Sequence, residues 1–158
     1  MKQHRERGFS LVELMVVLVL IGIMATLALP NLKSLFTQDR LLSSTTLVTS
    51  SLYLARTRAV NEGARYGVQF GTSGDFYVVK DPLGTPTVHG VVNHLETGVS
   101  VLSNTFVNNL AIFNEYGQLD RACLSTGQMT GTIMLTNTAD TTQVDVTFIS
   151  GRIRETNL

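Results

Sequence analysis

The feature that most constrains this chain is an apolar run of 21 residues, 9–29, set directly behind a short basic leader. Within it only Ser10, Glu13 and Thr26 are neither apolar nor simply small. As a helix rising 1.5 Å per residue the run spans about 31 Å, enough to cross a bilayer. The leader carries Lys2, Arg5 and Arg7 against Glu6. Basic flanks tend to stay cytoplasmic, which sends the C-terminal part outward. A cleaved secretory signal places small residues after its apolar core. Here Ala25, Thr26 and Ala28 lie inside that region, which leaves ordinary signal cleavage open, but the more telling small residue is Gly8, in front of the run.

Glu13 is the anomaly. A carboxylate at the centre of a membrane helix costs about 2.5–3.5 kcal/mol on insertion scales, and less near an end. Two readings account for it. Ser10 and Glu13, in "SLVE", have the spacing of a capping box, and the helix dipole favours an anion in the first turn. Alternatively, Glu13 seeks a cationic partner on another molecule. The residues themselves leave both open.

Charge and cysteine content exclude several classes. The chain has 158 residues and no net charge, and beyond the leader nine basic residues face eleven acidic ones. Any nucleic-acid site is therefore a local patch rather than a bulk property. Cys123 is the single cysteine, so no intramolecular disulfide exists. No glycine-rich phosphate loop, paired-cysteine motif or HExxH is present. One domain of this length buries a sizeable core.

Beyond the apolar run, Pro30 lacks an amide hydrogen and is expected to bend or interrupt the helix. Leu41, Thr45, Val48, Leu52, Ala55 and Ala59 then recur at steps of four and three, one face of an amphipathic helix. Gly63 is a natural stop. The expectation is one long helix over residues 9–62, bent near Pro30, with its first half in lipid and its second half packed on a domain. After Gly63 the pattern becomes short β-like runs. "YGVQF" (66–70) and "FYVVK" (76–80) flank a turn and read as a hairpin, and "DPLGTP" (81–86) reads as a loop. "GVSVL" (98–102), "LAIFN" (110–114), "GTIMLTN" (131–137) and "QVDVTFI" (143–149) follow. "SGR" closes the last turn before "IRE". The fold class is α+β: a helical spine on antiparallel sheet.

"RGFSLVEL" (7–14) resembles the leader and N-terminal segment of type IV pilins and type II secretion pseudopilins. The match covers a basic leader ending in Gly8, then Phe9, with Glu13 fifth after the junction and Pro30 further on. The resemblance implies that a prepilin peptidase cuts after Gly8 and that the new N-terminus, Phe9, is methylated. It implies that the apolar helix is retained in the inner membrane with the C-terminal domain periplasmic, and then bundles with other pilin subunits into a fibre. Glu13 would there pair with the cationic N-terminus of a neighbouring subunit. The segments so implied are leader 1–8, transmembrane helix 9–30, amphipathic continuation 31–62 and β-rich domain 63–158.

"LARTRAVNEG" (54–63) ahead of a hairpin, with a late "SGRIRE" (150–155), is similar to the GspH/FimT group of minor pilins and pseudopilins, FimT-like members above all. Phe76 stands where that group often carries tryptophan in the second hairpin strand. A single cysteine excludes the C-terminal disulfide loop of many major pilins, which points to a minor subunit.

Candidate chemistry reduces to one cluster. His89 and His94 lie in a loop-like stretch near Glu96, where Gly90 breaks any helical metal pair, and no cofactor is expected. Cys123 lacks an identifiable histidine partner and reads as inert. No catalytic residue is expected. Arg56 and Arg58, two apart on the helix, cannot share a face; one is expected exposed and the other paired with the sheet or Glu62. Arg65 is a third cation of undecided role. Arg152 and Arg154 differ, because residues two apart on an extended segment point to one side. The planar guanidinium fork suits phosphate oxygens. The bland alternative is a solvated strand end with Glu155 neutralising one arginine. In FimT-like minor pilins a GRxR motif is associated with binding extracellular DNA for uptake in natural transformation, and Gly151, Arg152, Ile153 and Arg154 match it. The resemblance thus implies a minor pilin that serves pilus assembly and DNA capture. The alternative is a GspH-type pseudopilin of a type II secretion system.

Overall fold

The computed structural model describes residues 10–158, and of residues 27–35 only the backbone. The expected cleavage and methylation at Gly8 and Phe9 lie outside the described residues, as does the side chain of Pro30. A single helix, α1 (Leu11–Glu62), opens the described chain. The chain forms two compact units, dividing between Phe36 and Thr37.

In the first unit, every large apolar side chain from Leu11 to Met24 is exposed, by 46–75%. Among the described residues no helix is long and apolar enough to cross a membrane. The described part of the apolar run, residues 11–26, falls short of the roughly 20 residues a span requires. The expected span over residues 9–30 therefore lies partly outside what is described.

The second unit holds the core. Leu41, Thr45, Val48, Leu52, Ala55 and Ala59, the stripe the periodicity selects, are all buried. Three hydroxyls on this face find acceptors or donors, while the neighbouring Thr49 Oγ1 is buried without a partner among the described residues. Thr45 and Ser51 donate to the carbonyls of Leu41 and Leu47, four residues back. Ser44 Oγ accepts from the amide of Glu96. Gly63, at φ +58°, ends the helix in the left-handed conformation a helix C-terminus commonly needs.

Nine strands follow, in two sheets. The first sheet contains β1 (Tyr66–Phe70), β2 (Asp75–Lys80), β3 (Thr87–Val88), β4 (Asn93–His94) and β6 (Leu110–Phe113). Its order is β3-β2-β1-β6, with β4 also paired to β2. The second contains β5 (Ser100–Asn104), β7 (Thr130–Thr136), β8 (Thr141–Thr147) and β9 (Ile153–Asn157), in the order β5-β7-β8-β9. All pairings are antiparallel. Alternation along β7 and β8 buries Ile133, Leu135, Val144 and Val146 and leaves threonines half-exposed on the other face.

The hairpin β1–β2, the 81–86 loop and the later strands stand where the sequence places them, within two residues. The structure adds β3 and β4, each of two residues, inside a stretch that reads as loop. His94 thus belongs to a strand, not a loop. It also divides the expected antiparallel layer into two separate sheets.

Every buried residue of the described chain lies at or beyond Leu41, so a fragment beginning at Thr37 carries the whole core. In that fragment, Leu52→Ala is expected to lower the unfolding free energy by about 2–5 kcal/mol, because a fully buried side chain leaves a cavity. Leu42→Ala, at a site 60% exposed and off that face, is expected to change it by only ~0.5 kcal/mol. Urea unfolding of the two variants distinguishes them; equal losses would contradict the assigned face.

Candidate nucleic-acid interface

The turn between β8 and β9 builds the candidate site. Its backbone is closed by two hydrogen bonds: Gly151 N–H donates to Thr147 O at 2.9 Å, and Thr147 N–H donates to Arg152 O at 3.0 Å. Ser150 Oγ accepts from the Arg152 amide at 3.2 Å. Gly151 has φ +57°, and a Cβ there would stand 2.0 Å from the carbonyl oxygen of Gly117. Only glycine fits on both counts, the dihedral and the space.

Gly117 lies in the turn after β6, where Asn114 Oδ1 accepts from the amides of Tyr116 and Gln118. The two glycine turns abut, and Arg56 on α1 holds both. Its Nε donates to Gly117 O at 2.9 Å and its Nη2 to Ser150 O at 3.1 Å. Charged donors make hydrogen bonds roughly twice as strong as neutral ones. The expectation for Arg56 and Arg58 is corrected here: neither is free, and neither takes Glu62. Arg58 Nη1 contacts His89 Nε2 instead.

Glu62 is already engaged. Lys80 Nζ and Tyr66 Oη both donate to its Oε2 at 2.7 Å. Those two donors, Lys80 first, hold Glu62 below the usual carboxylate range. Its carboxylate in turn pushes Lys80 up, while burial and then Glu62 push Tyr66 up. A lowered carboxylate favours the fold above its unfolded pKa and loses that contribution as pH falls through the folded value. The raised lysine loses its share only as pH rises through its own folded value, so the pair is intact at neutral pH.

From this fixed turn Arg152 and Arg154 both project, exposed, on either side of buried Ile153. Among the described residues neither guanidinium has a hydrogen bond or ion pair. Arg154 stands opposite Asp145 in the β8–β9 register. That carboxylate is occupied by Thr132 Oγ1 at 2.7 Å and Gln143 Nε2 at 2.9 Å. Glu155, the residue offered as neutraliser, is next along the strand and so faces the other side. Sequence reasoning missed a third cation. Arg121 Cζ sits 5.4 Å from the ring centroid of Phe148, at the start of the same turn. Arg65 is accounted for elsewhere, with its Nε 3.0 Å from Asp120 Oδ2.

The remaining candidates stay apart from this cluster. His89 lies edge-on to Tyr66, and His94 pairs across to Asp75. Among the described residues no group of three metal-ligating side chains forms. Cys123 is buried, and burial pushes its thiol up to about 11, far from a working nucleophile. Glu13 is exposed in the first turn of α1, where its amide and that of Leu14 donate to Ser10 O. Among the described residues no side-chain bond closes a capping box between Ser10 and Glu13.

A prokaryotic N-terminal methylation motif matches residues 3–29, and the Type II transport protein GspH family matches residues 44–150. The chain belongs to the GspH family. Two structures of the minor pseudopilin EpsH from the type 2 secretion system of Vibrio cholerae resemble it. One matches with TM-score 0.53 at 12% identity, covering 73% of this chain and 94% of that one. The other has TM-score 0.57 at 9% identity, covering 77% and 97%. The type IV minor pilin FimU of Pseudomonas aeruginosa matches with TM-score 0.57 at 13% identity, covering 74% and 88%. No curated protein matches the sequence. This GspH-family chain therefore has the type IV pilin-like fold, a prepilin-type N-terminal motif and the part of a minor pilin or pseudopilin. Its family and structural neighbours are structural subunits rather than enzymes.

Gly151 and Gly63 give a matched test of the turn, because their φ values are +57° and +58°. A Cβ at Gly63 meets nothing within 4 Å. Gly63→Ala is thus expected to cost only the left-handed strain, about 1–2 kcal/mol. Gly151→Ala is expected to cost clearly more, since the Gly117 carbonyl must move as well. Thermal unfolding of both variants checks this, and equal costs would mean that the two turns do not abut.

Proposed function

We propose that this chain is a FimT-like minor type IV pilin whose β8–β9 turn captures extracellular DNA for uptake in natural transformation. The observation that carries the reading is the pair Arg152 and Arg154: exposed, on one side of the chain, unpaired, and held on a turn that only Gly151 can make. A protein that leaves two guanidiniums unpaired beside an already satisfied carboxylate has them ready for an outside anion. Phosphate oxygens suit the guanidinium fork. Recognition by guanidiniums on an exposed turn rests on the phosphate backbone and is independent of sequence.

The N-terminal segment fits the same life history. Cleavage after Gly8 by prepilin peptidase and methylation of Phe9 would leave residues 9–30 as the inner-membrane helix, with the domain periplasmic. Exposure of every large apolar side chain from Leu11 to Met24 supports a surface that lipid, and later neighbouring subunits, would cover. The exposed Glu13 is available to pair with a neighbour's N-terminus, and Pro30 to shape the helix for packing. Mass spectrometry of filament-incorporated protein is expected to show an N-terminus at methylated Phe9. A full leader on assembled subunits would refute the processing step.

A second reading is favoured by a specific observation. The family match is to type II transport protein GspH, and two of the similar structures are pseudopilins. In that reading the partners are other pseudopilins and exported proteins, and the arginine pair has no DNA to bind.

DNA titration of the fragment from Thr37 separates the two. The expected result is sequence-independent binding with roughly micromolar dissociation constants, weakening steeply with salt. Arg152→Gln with Arg154→Gln is expected to abolish the shift, each arginine lowering the salt slope by about one unit. Stability is expected to change by only ~0.5 kcal/mol, as at exposed sites generally. Undiminished binding by the folded double variant would remove the site. No binding by the unaltered fragment at low salt would favour the secretion pseudopilin.

A further inference from the structure

Resting on that DNA reading, we propose that Arg121 is a third phosphate contact of the Arg152/Arg154 surface, and that Arg56 is the positioning residue that locks its two turns together. The surface is then a platform of two turns rather than a motif of four residues.

Arg121 is exposed, and its guanidinium makes no hydrogen bond or ion pair among the described residues. The Phe148 ring, 5.4 Å from its Cζ, fixes the charge beside the β8–β9 turn rather than leaving it to wander. Phe148 is itself held, its amide donating to Met129 O at 2.8 Å. The neighbouring carboxylate, Asp120, does not cancel this charge, since Arg65 and the amide of Ala122 both donate to it. The acidic groups left on these segments are Glu115, exposed on the turn after β6, Asp145 opposite Arg154, and Glu155 beside it.

Arg56 plays another part. Half-buried on α1, it spends two of its donors on carbonyls from two separate turns, Gly117 and Ser150. Gly117 precedes Arg121, which opens a short 3-10 helix (Arg121–Cys123), by four residues, and Ser150 precedes Arg152 by two. The turns meet at a contact so close that a Cβ at Gly151 would overlap Gly117 O, and Gly117 is pressed on α1 in turn, where a Cβ would stand 2.9 Å from Val60 Cγ2. A two-point fork fixes the spacing of the cations in a way that a single ammonium cannot.

The two roles predict different signatures. The experiment is anisotropy titration of a fluorescein-labelled mixed-sequence 20-base-pair duplex with the fragment from Thr37, over a series of NaCl concentrations. Amide exchange at Gly117 and Gly151 is followed in parallel. Arg121→Gln is expected to lower the salt slope by about one unit and weaken binding roughly eightfold at 0.1 M salt, with amide exchange unchanged. Arg56→Lys keeps the charge and loses the fork. It is expected to weaken binding with the slope unchanged, while both glycine amides exchange faster. Gly117→Ala removes no charge but crowds Val60 Cγ2 at 2.9 Å and Arg56 Nε at 3.3 Å, and it is expected to repeat the Arg56→Lys pattern.

An unchanged slope in Arg121→Gln overturns the third contact, and that surface variant tests it even if the junction variants fold poorly. Unchanged affinity or unchanged amide exchange in Arg56→Lys overturns the positioning role. So does a lowered slope there, which would put Arg56 itself on phosphate. Failure of the underlying DNA reading looks different: the unaltered fragment does not bind the duplex, or the Arg152→Gln/Arg154→Gln variant binds as well as it does.

Discussion

The structure depends on one interface, the buried stripe of α1 from Leu41 to Ala59 against the sheets. Neither sheet could stand alone. The first has two strands of two residues at its edge, and the second ends in β9, which buries only Ile153 of its five residues. Small sheets need a covered face to be stable in water. The helix supplies that cover in the one place where a 3.6-residue period can present apolar side chains continuously over several turns. Burying Val48 and Leu52 completely, at about 1.5–3 kcal/mol for each such side chain, contributes toward the larger cost of ordering the strands, among them β7 and β8, whose outer faces are mostly threonine.

The same interface places the candidate site. Arg56 stands between Ala55 and, four residues on, Ala59. Both alanines are buried, so the register that packs the stripe also fixes where Arg56 emerges. Its guanidinium then meets two carbonyls that no strand uses. Those turns lie 61 and 94 residues away along the chain, yet one side chain ties them to the helix. The site's rigidity thus comes from the core's own register rather than from the loops that bear the arginines.

What the sequence reveals follows from the range of each interaction. The α1 stripe, the β1–β2 hairpin and the sidedness of Arg152 and Arg154 are local patterns, and each is readable from spacing alone. Gly151 is readable as a turn glycine, but not as one pressed against Gly117, because that contact is tertiary. Arg56 was expected to be exposed or paired with the sheet or Glu62. Its true acceptors are distant backbone carbonyls, which no side-chain pattern advertises, and Glu62 is already taken by Lys80 and Tyr66. The short strands β3 and β4 carry too few residues to show alternation. Arg121 gains its place only through Phe148, so nothing in its own neighbourhood marks it. The leader match at residues 3–29 concerns the segment most legible as sequence, although its cleavage point lies outside the described residues.

The choice of arginine over lysine at the turn bears on how such a site would work. Two or three phosphate contacts supply little affinity, because each gains mainly by releasing a counterion and is weakened by salt. A chain that is mildly acidic beyond its leader adds no long-range attraction to compensate. The site must therefore convert each encounter efficiently, and preformed geometry is the means available. Guanidiniums held on a turn that glycine and Arg56 have already fixed lose less freedom on binding than cations on a loose loop. Any remaining shortfall falls to number. Several weak sites presented together on one duplex multiply their effect without new contacts, whereas a lone copy releases the duplex quickly. The proposed site, weak and blind to sequence, would thus suit a subunit displayed beside others.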